Sequence, residues 1–193
     1  MYQCLCNKIS IKIIIPSIIV LLTVFSSYGV TKYSQNLQIA LLNLEKIPLS
    51  YRIYFNISAG FAMFVPIIVF IFLFSTIYLM MYYFFDEMIS KRKLYISIGT
   101  CFLPVLIYQY FFWCNLIYYC DYNTIKTVDD FLNVSFLFGL KLEDFEIISN
   151  FCWGILYLGV FFYLYFSGKP FFKALASITI PTLLVMLIYY IIN

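Results

Sequence analysis

The sequence predicts an all-α, polytopic integral membrane protein with five transmembrane helices, and three observations predict it. Of 193 residues, 64% are hydrophobic and only 11% charged, against about 25% charged in a soluble domain. The mean hydropathy is +0.95. The apolar residues are gathered into five runs, each close to the ~20 residues that an α-helix needs to cross a bilayer. These runs leave no room for a separate soluble domain of ordinary size, so residues 1–193 are read as one membrane domain.

The expected spans are about 13–30, 59–85, 94–119, 148–166 and 174–192, with longer loops at 31–58 and 120–147. The first, "IIIPSIIVLLTVFSSYGV", follows Lys8 and Lys12. Its apolar run is long for a signal-peptide core and no clear A-x-A-like site follows, which predicts a retained helix. In the next loop Leu37, Ala40, Leu41 and Leu44 recur at helical spacing, with Gln38, Asn43 and Glu45 off that face. That pattern predicts a short amphipathic helix on the membrane surface, ended by Pro48.

Spans two and three are joined by "DEMISKRK", in which Asp86, Glu87, Lys91, Arg92 and Lys93 form a turn where charge stays hydrated and anchors both helix ends. These residues, with Lys169 and Lys173 of the last short turn, are the candidate contact for anionic lipid or a cytoplasmic partner. A run of three cations is shorter than the roughly 4–8 of a polybasic lipid site. The loop "DYNTIKTVDDFLNVSFLFGLKLEDF" mixes acids with Phe131, Leu132, Phe136, Leu137 and Phe138, which predicts a partly buried or interfacial segment.

Orientation follows from the basic residues of the short connections. Lys8, Lys12, Lys91, Arg92, Lys93, Lys169 and Lys173 fall on one side in short stretches, whereas Lys32, Lys46, Arg52, Lys126 and Lys141 are spread over the two long loops. The short basic side is expected in the cytoplasm, with the N-terminus inside and the C-terminus outside. Glu45, Asp121, Asp129, Asp130, Glu143, Asp144 and Glu146 lie on the opposite side.

Within the spans, Pro16, Pro66, Pro104 and Pro181 each remove a backbone donor and predict a kink. Gln109 and Asn115 in span three are read as interhelical hydrogen-bond partners, with Asn150 as a further intramembrane polar contact. Ser97, Gly99 and Thr100, and the pair Ser167 and Gly168, would permit close helix approach and are the small and polar groups through which docking on other membrane proteins is expected.

Several classes are excluded on composition. The chain has no histidine, the commonest general base and metal ligand, and no Walker A, H-E-x-x-H or G-x-S-x-G pattern. All nine acids lie in loops or at span ends, which leaves no intramembrane carboxylate pair for proteolysis or ion coupling. Cys4, Cys6, Cys101, Cys114, Cys120 and Cys152 contain no CxxC pair and read as structural. The net charge of +3 is divided between the two sides and forms no nucleic-acid footprint. No enzyme activity, cofactor, metal or nucleic-acid partner is expected.

Three segments resemble the Yip1-domain family: the charged hinge leading into "KLYISIGTCFLPVLI", the acidic approach and Trp-containing span "LEDFEIISNFCWGILYLGVFFYL", and the short turn before the last span, "SGKPFFKALASITIPTLLVMLI". The likeness covers roughly Ala59 to the C-terminus; Gly159 matches the family's fourth-span glycine, and "DEMISKRK" departs from the glycine-rich hinge of bacterial members. The resemblance implies a five-helix domain acting through partner proteins, other membrane proteins such as transporter subunits with an ATPase. With only "MYQCLCNKIS" ahead of the first span, it implies a bacterial-type member in the cytoplasmic membrane. The expected function is a non-enzymatic accessory subunit docking on a membrane transport complex. Two alternatives stand beside it: a permease subunit or passive conduit, with its path bearing Gln109, Asn115 and Asn150, and an immunity protein binding a toxin through its outer loops.

Overall fold

The computed structural model describes the backbone of residues 2–41, 49–120, 125 and 127–192, and within these the side chains of 11–39, 53, 57, 58, 60–120, 125, 127 and 130–183. The side chains of Cys4, Cys6, Lys8, Ala40, Leu41, Asn43, Leu44, Glu45, Lys46, Pro48, Arg52, Asp121, Lys126 and Asp129 lie outside the described set, as do those of 184–192.

Among the described residues seven α-helices follow in order: α1 (Tyr2–Leu41), α2 (Leu49–Leu79), α3 (Lys91–Cys101), α4 (Leu103–Tyr119), α5 (Val128–Leu132), α6 (Leu142–Phe166) and α7 (Phe171–Ile192). No strand occurs among the described residues. Among the described residues four segments are long and apolar enough to cross a membrane: Ile11–Ile39, Gly60–Phe84, Lys91–Tyr119 and Leu142–Phe166. The fifth expected span is α7, 22 residues long, whose described part Phe171–Leu183 is apolar. Many large apolar side chains are exposed around a buried apolar core. On α1, Ile11, Ile14, Ile18, Leu22 and Phe25 are exposed, while Thr23, Ser26, Ser27 and Gln35 are buried. Such a surface is solvated by acyl chains, so this is an all-α membrane protein.

The expected loop at 31–58 is corrected: α1 continues to Leu41 and α2 begins at Leu49. Residues 31–41 contain no proline or glycine to stop the helix, and the side chains of Tyr33, Gln35 and Leu37 find partners there, Leu37 being 1% exposed. Leu37 therefore belongs to a spanning helix rather than to a separate surface helix. The loop expected at 120–147 is also shorter, since α6 begins at Leu142.

The prolines act unequally. Span Lys91–Tyr119 is broken at Phe102, two residues before Pro104. Pro104 has no N–H to offer the carbonyl of Thr100, four residues back, and that carbonyl accepts from Phe102 N–H instead. Pro16, Pro66 and Pro181 lie inside α1, α2 and α7, each within a continuous helix, and all three are buried.

The chain divides into two compact units. Unit one comprises Met1–Ile19, Ile68–Leu103 and Gly154–Asn193. Its core is built from stripes spaced by four: Leu73, Ile77 and Met81; Leu94, Ile98 and Phe102; Leu156, Val160 and Leu164. Helix α3 is its hub. The position a Gly99 Cβ would take lies 2.5 Å from Pro16 Cβ of α1, and that of a Gly159 Cβ on α6 lies 2.8 Å from Cys101 Sγ. Tyr95 Oη is 2.7 Å from Ser17 Oγ, and the Tyr95 ring meets Phe70 of α2 edge-on at 5.2 Å.

Unit two comprises Val20–Ile67 and Pro104–Trp153. Its core gathers Leu37, Leu116, Cys120, Ile125, Phe136 and Phe145. Helix α1 meets α4 along Ser26, Gly29 and Tyr33, a stripe at i, i+3 and i+7. Ser26 Oγ is 3.0 Å from Gln109 Oε1, the Trp113 ring fills the space beside Gly29, and Tyr33 Oη donates to the Cys120 carbonyl at 2.9 Å.

Candidate functional site

The charged residues of unit one are positioned by the way α2 ends. Its last turn widens into a π-helical turn, Met80–Phe84, with Phe85 N–H donating to Met80 O at 3.1 Å and Glu87 N–H to Met81 O at 2.8 Å. Asp86 lies between them in the left-handed region (φ 50°) and is exposed; Asp is among the residues that tolerate this conformation. The reversal directs Glu87 toward the turn between α6 and α7. That turn is set by Gly168 at φ 83°, with Gly168 N–H bonded to Tyr165 O and Lys169 N–H to Leu164 O, the two bonds of a Schellman cap.

Glu87 bridges both lysines of that turn, 2.7 Å from Lys169 Nζ and 2.9 Å from Lys173 Nζ. The ammonium groups are further held by main-chain oxygens, Lys169 by Met88 O at 2.9 Å and Lys173 by Phe85 O at 3.1 Å. Hydrogen bonds from Lys169 and then Lys173 pull the Glu87 carboxyl down from 4.5 to about 2. The structure thus joins Glu87 to Lys169 and Lys173, 82 and 86 positions away, in one ionic cluster.

Lys91, Arg92 and Lys93 are outside that cluster. They form the first turn of α3, behind Ser90 as N-cap, and all three are exposed. Lys91 Nζ lies 4.8 Å from the Tyr78 ring centroid, a cation–π contact. Three cations stand where the helix dipole disfavours them, each by about 0.3–1 kcal/mol at an exposed position. Met88, beside them, is 88% exposed.

The intramembrane polar residues of unit two are not brought together. Gln109 faces Ser26, whose hydroxyl lies 3.0 Å from both Gln109 Oε1 and Thr23 O. Asn115 is buried; its Nδ2 donates to Phe111 O at 2.9 Å, and its Oδ1 accepts from Leu137 N–H at 3.1 Å. Asn150 is exposed on α6. A groove of about 580 Å3 between α1 and α4 is lined mainly by Leu22, Phe25, Ile107, Tyr110, Trp113 and Cys114, walls that suit an acyl chain better than a water-soluble solute. Among the described residues no three Cys, Asp or Glu side chains gather into a metal-holding group.

The small residues are likewise placed differently from one another. Ser97 and Gly99 are buried, Gly99 against Pro16 of the same chain, while Thr100 is exposed. Ser167 and Gly168 terminate α6 and are exposed. Ser26, Gly29, Tyr33 and Gln35 were not legible as contact residues, although the i, i+3, i+7 recurrence of Ser26, Gly29 and Tyr33 carries the signal.

Compared with known protein families, curated proteins and solved structures, the chain matches none of them.

Proposed function

We propose that this protein is a non-enzymatic accessory subunit of the Yip1-like type, resident in a bacterial cytoplasmic membrane, which docks on a membrane transport complex through its short basic turns. One observation carries the reading. Lys169 and Lys173 share the single carboxylate of Glu87, and Lys91, Arg92 and Lys93 stand exposed in the first turn of α3 against the helix dipole. A partner presenting carboxylates or phosphates would be attracted to these exposed cations, and the Glu87 bridge ties down the turn between α6 and α7. The partner envisaged is another membrane protein together with its ATPase.

The test is a gentle-detergent purification from native membranes, tagged at the N-terminus, followed by mass spectrometry of stoichiometric partners. The wild type is expected to bring down a membrane complex, and a Lys91→Glu, Arg92→Glu, Lys93→Glu variant to lose it at least ten-fold while keeping its own thermal stability. Undiminished recovery with the charge-reversed variant would defeat the docking surface. Recovery of the protein alone would defeat the accessory role itself.

A further inference from the structure

We propose that the turn Phe136–Leu140 is seated in the membrane, with the Phe138 ring inserted among the acyl chains at the bilayer interface. Phe138 is 85% exposed and sits at φ 64°, ψ 19°, in the left-handed region, where a bulky aromatic residue is an outlier. Gly139 follows at φ 73°. Two left-handed residues in succession reverse the chain at this point. Phe136 is 3% exposed and packs edge-on against Phe145 at 5.1 Å, while Phe138 is presented outward.

Three N–H groups of the turn are paired within the protein. Phe136 N–H donates to Leu140 O at 2.9 Å, Gly139 N–H to Phe136 O at 3.0 Å, and Leu137 N–H to Asn115 Oδ1 at 3.1 Å. Irregular backbone at membrane depth requires such internal pairing. The last bond also fixes the level of the turn. Asn115 lies four residues, or about 6 Å, before the end of α4 at Tyr119, within the spanning segment Lys91–Tyr119. The turn is therefore held beside the final turn of a span. Leu137 is exposed alongside Phe138, and the charges of Lys141 and Glu143 follow at the start of α6. An outward aromatic at that depth, with polar residues next to it, fits the interfacial region where aromatic anchors concentrate. This inference is independent of the proposed docking function.

The purified full chain tests it, in vesicles with no other protein. In a Trp113→Phe, Trp153→Phe background, Phe138→Trp supplies a single fluorophore. Phosphatidylcholine brominated at shallow acyl positions is expected to quench its emission at least two-fold, with little quenching by aqueous iodide. Strong iodide quenching without bromolipid quenching would overturn the proposal, and would mean a ring left in water for a protein partner. A second readout leaves both tryptophans untouched. Phe138→Cys in the native chain, treated on both sides of the vesicle with a charged maleimide and quantified by peptide mass spectrometry, is expected to label at least ten-fold more slowly than Asn133→Cys. Equal rates would overturn it equally.

Discussion

Replacing Gly99 by Ala places a methyl carbon 2.5 Å from Pro16 Cβ, 3.2 Å from its Cα and 3.4 Å from its carbonyl carbon. Non-bonded carbons settle at about 3.5–4.0 Å, so relief demands that α1 and α3 part by roughly 1 Å. The proline ring cannot rotate away, and two of the three nearest atoms are backbone. Overpacking of this kind costs about 1–3 kcal/mol. The same separation stretches the 2.7 Å contact between Ser17 and Tyr95, and interhelical hydrogen bonds in membranes average about 0.6 kcal/mol. Against these losses, Gly→Ala inside a helix gains about 1 kcal/mol. The net destabilisation is roughly 0.5–2.5 kcal/mol. Gly154 in α6 is the internal control, because nothing lies within 4 Å of its added Cβ and only the helix gain remains. Thermal unfolding in mild detergent should place Gly99→Ala below Gly154→Ala by several degrees, at about 2–4 °C per kcal/mol for a chain of this size. Equal melting temperatures for the two variants would refute the reasoning, because the close approach of α1 and α3 would then be absent.

Two further outcomes follow from the charged cluster and the buried amide. Folding depresses the Glu87 carboxyl to about 2, so its contribution is fully present above the ordinary carboxylate value of 4.5 and is lost as pH falls from there toward 2. Wild type should therefore exceed Glu87→Gln in melting temperature at pH 7, with the gap closing between pH 4.5 and 2; a gap independent of pH would mean that the ion pairs do not form. Asn115→Leu leaves Leu137 N–H without its side-chain acceptor, a hydrogen bond worth about 0.5–1.5 kcal/mol net. Faster proteolysis within 120–141 and a lower melting temperature are expected, and unchanged proteolysis would count against Asn115 as the anchor of that turn.

Much of the architecture is additive along the chain, and that part was legible. Hydropathy is a property of consecutive residues, so the existence of the spans and the charged turns between them follow from local text. The same locality misplaced the end of α1. The polar stretch from Thr31 to Gln38 reads as loop by composition, but it is helix because Tyr33, Gln35 and Leu37 meet partners far away in sequence. Gly99 was legible as a place for close approach, yet only the tertiary structure decided that the approaching backbone is Pro16 of the same chain. Likewise the charges of "DEMISKRK" form one cluster in the sequence and two in the fold. Glu87 pairs with lysines 82 and 86 residues away, leaving Lys91, Arg92 and Lys93 exposed at the head of α3. Transfer into lipid is summed over neighbours in the chain, whereas a hydrogen bond, an ion pair or a steric contact is set by neighbours in space. The sequence by itself therefore determined that the chain crosses a membrane as helices, and the tertiary structure alone decided which of its few polar groups are spent on holding those helices together.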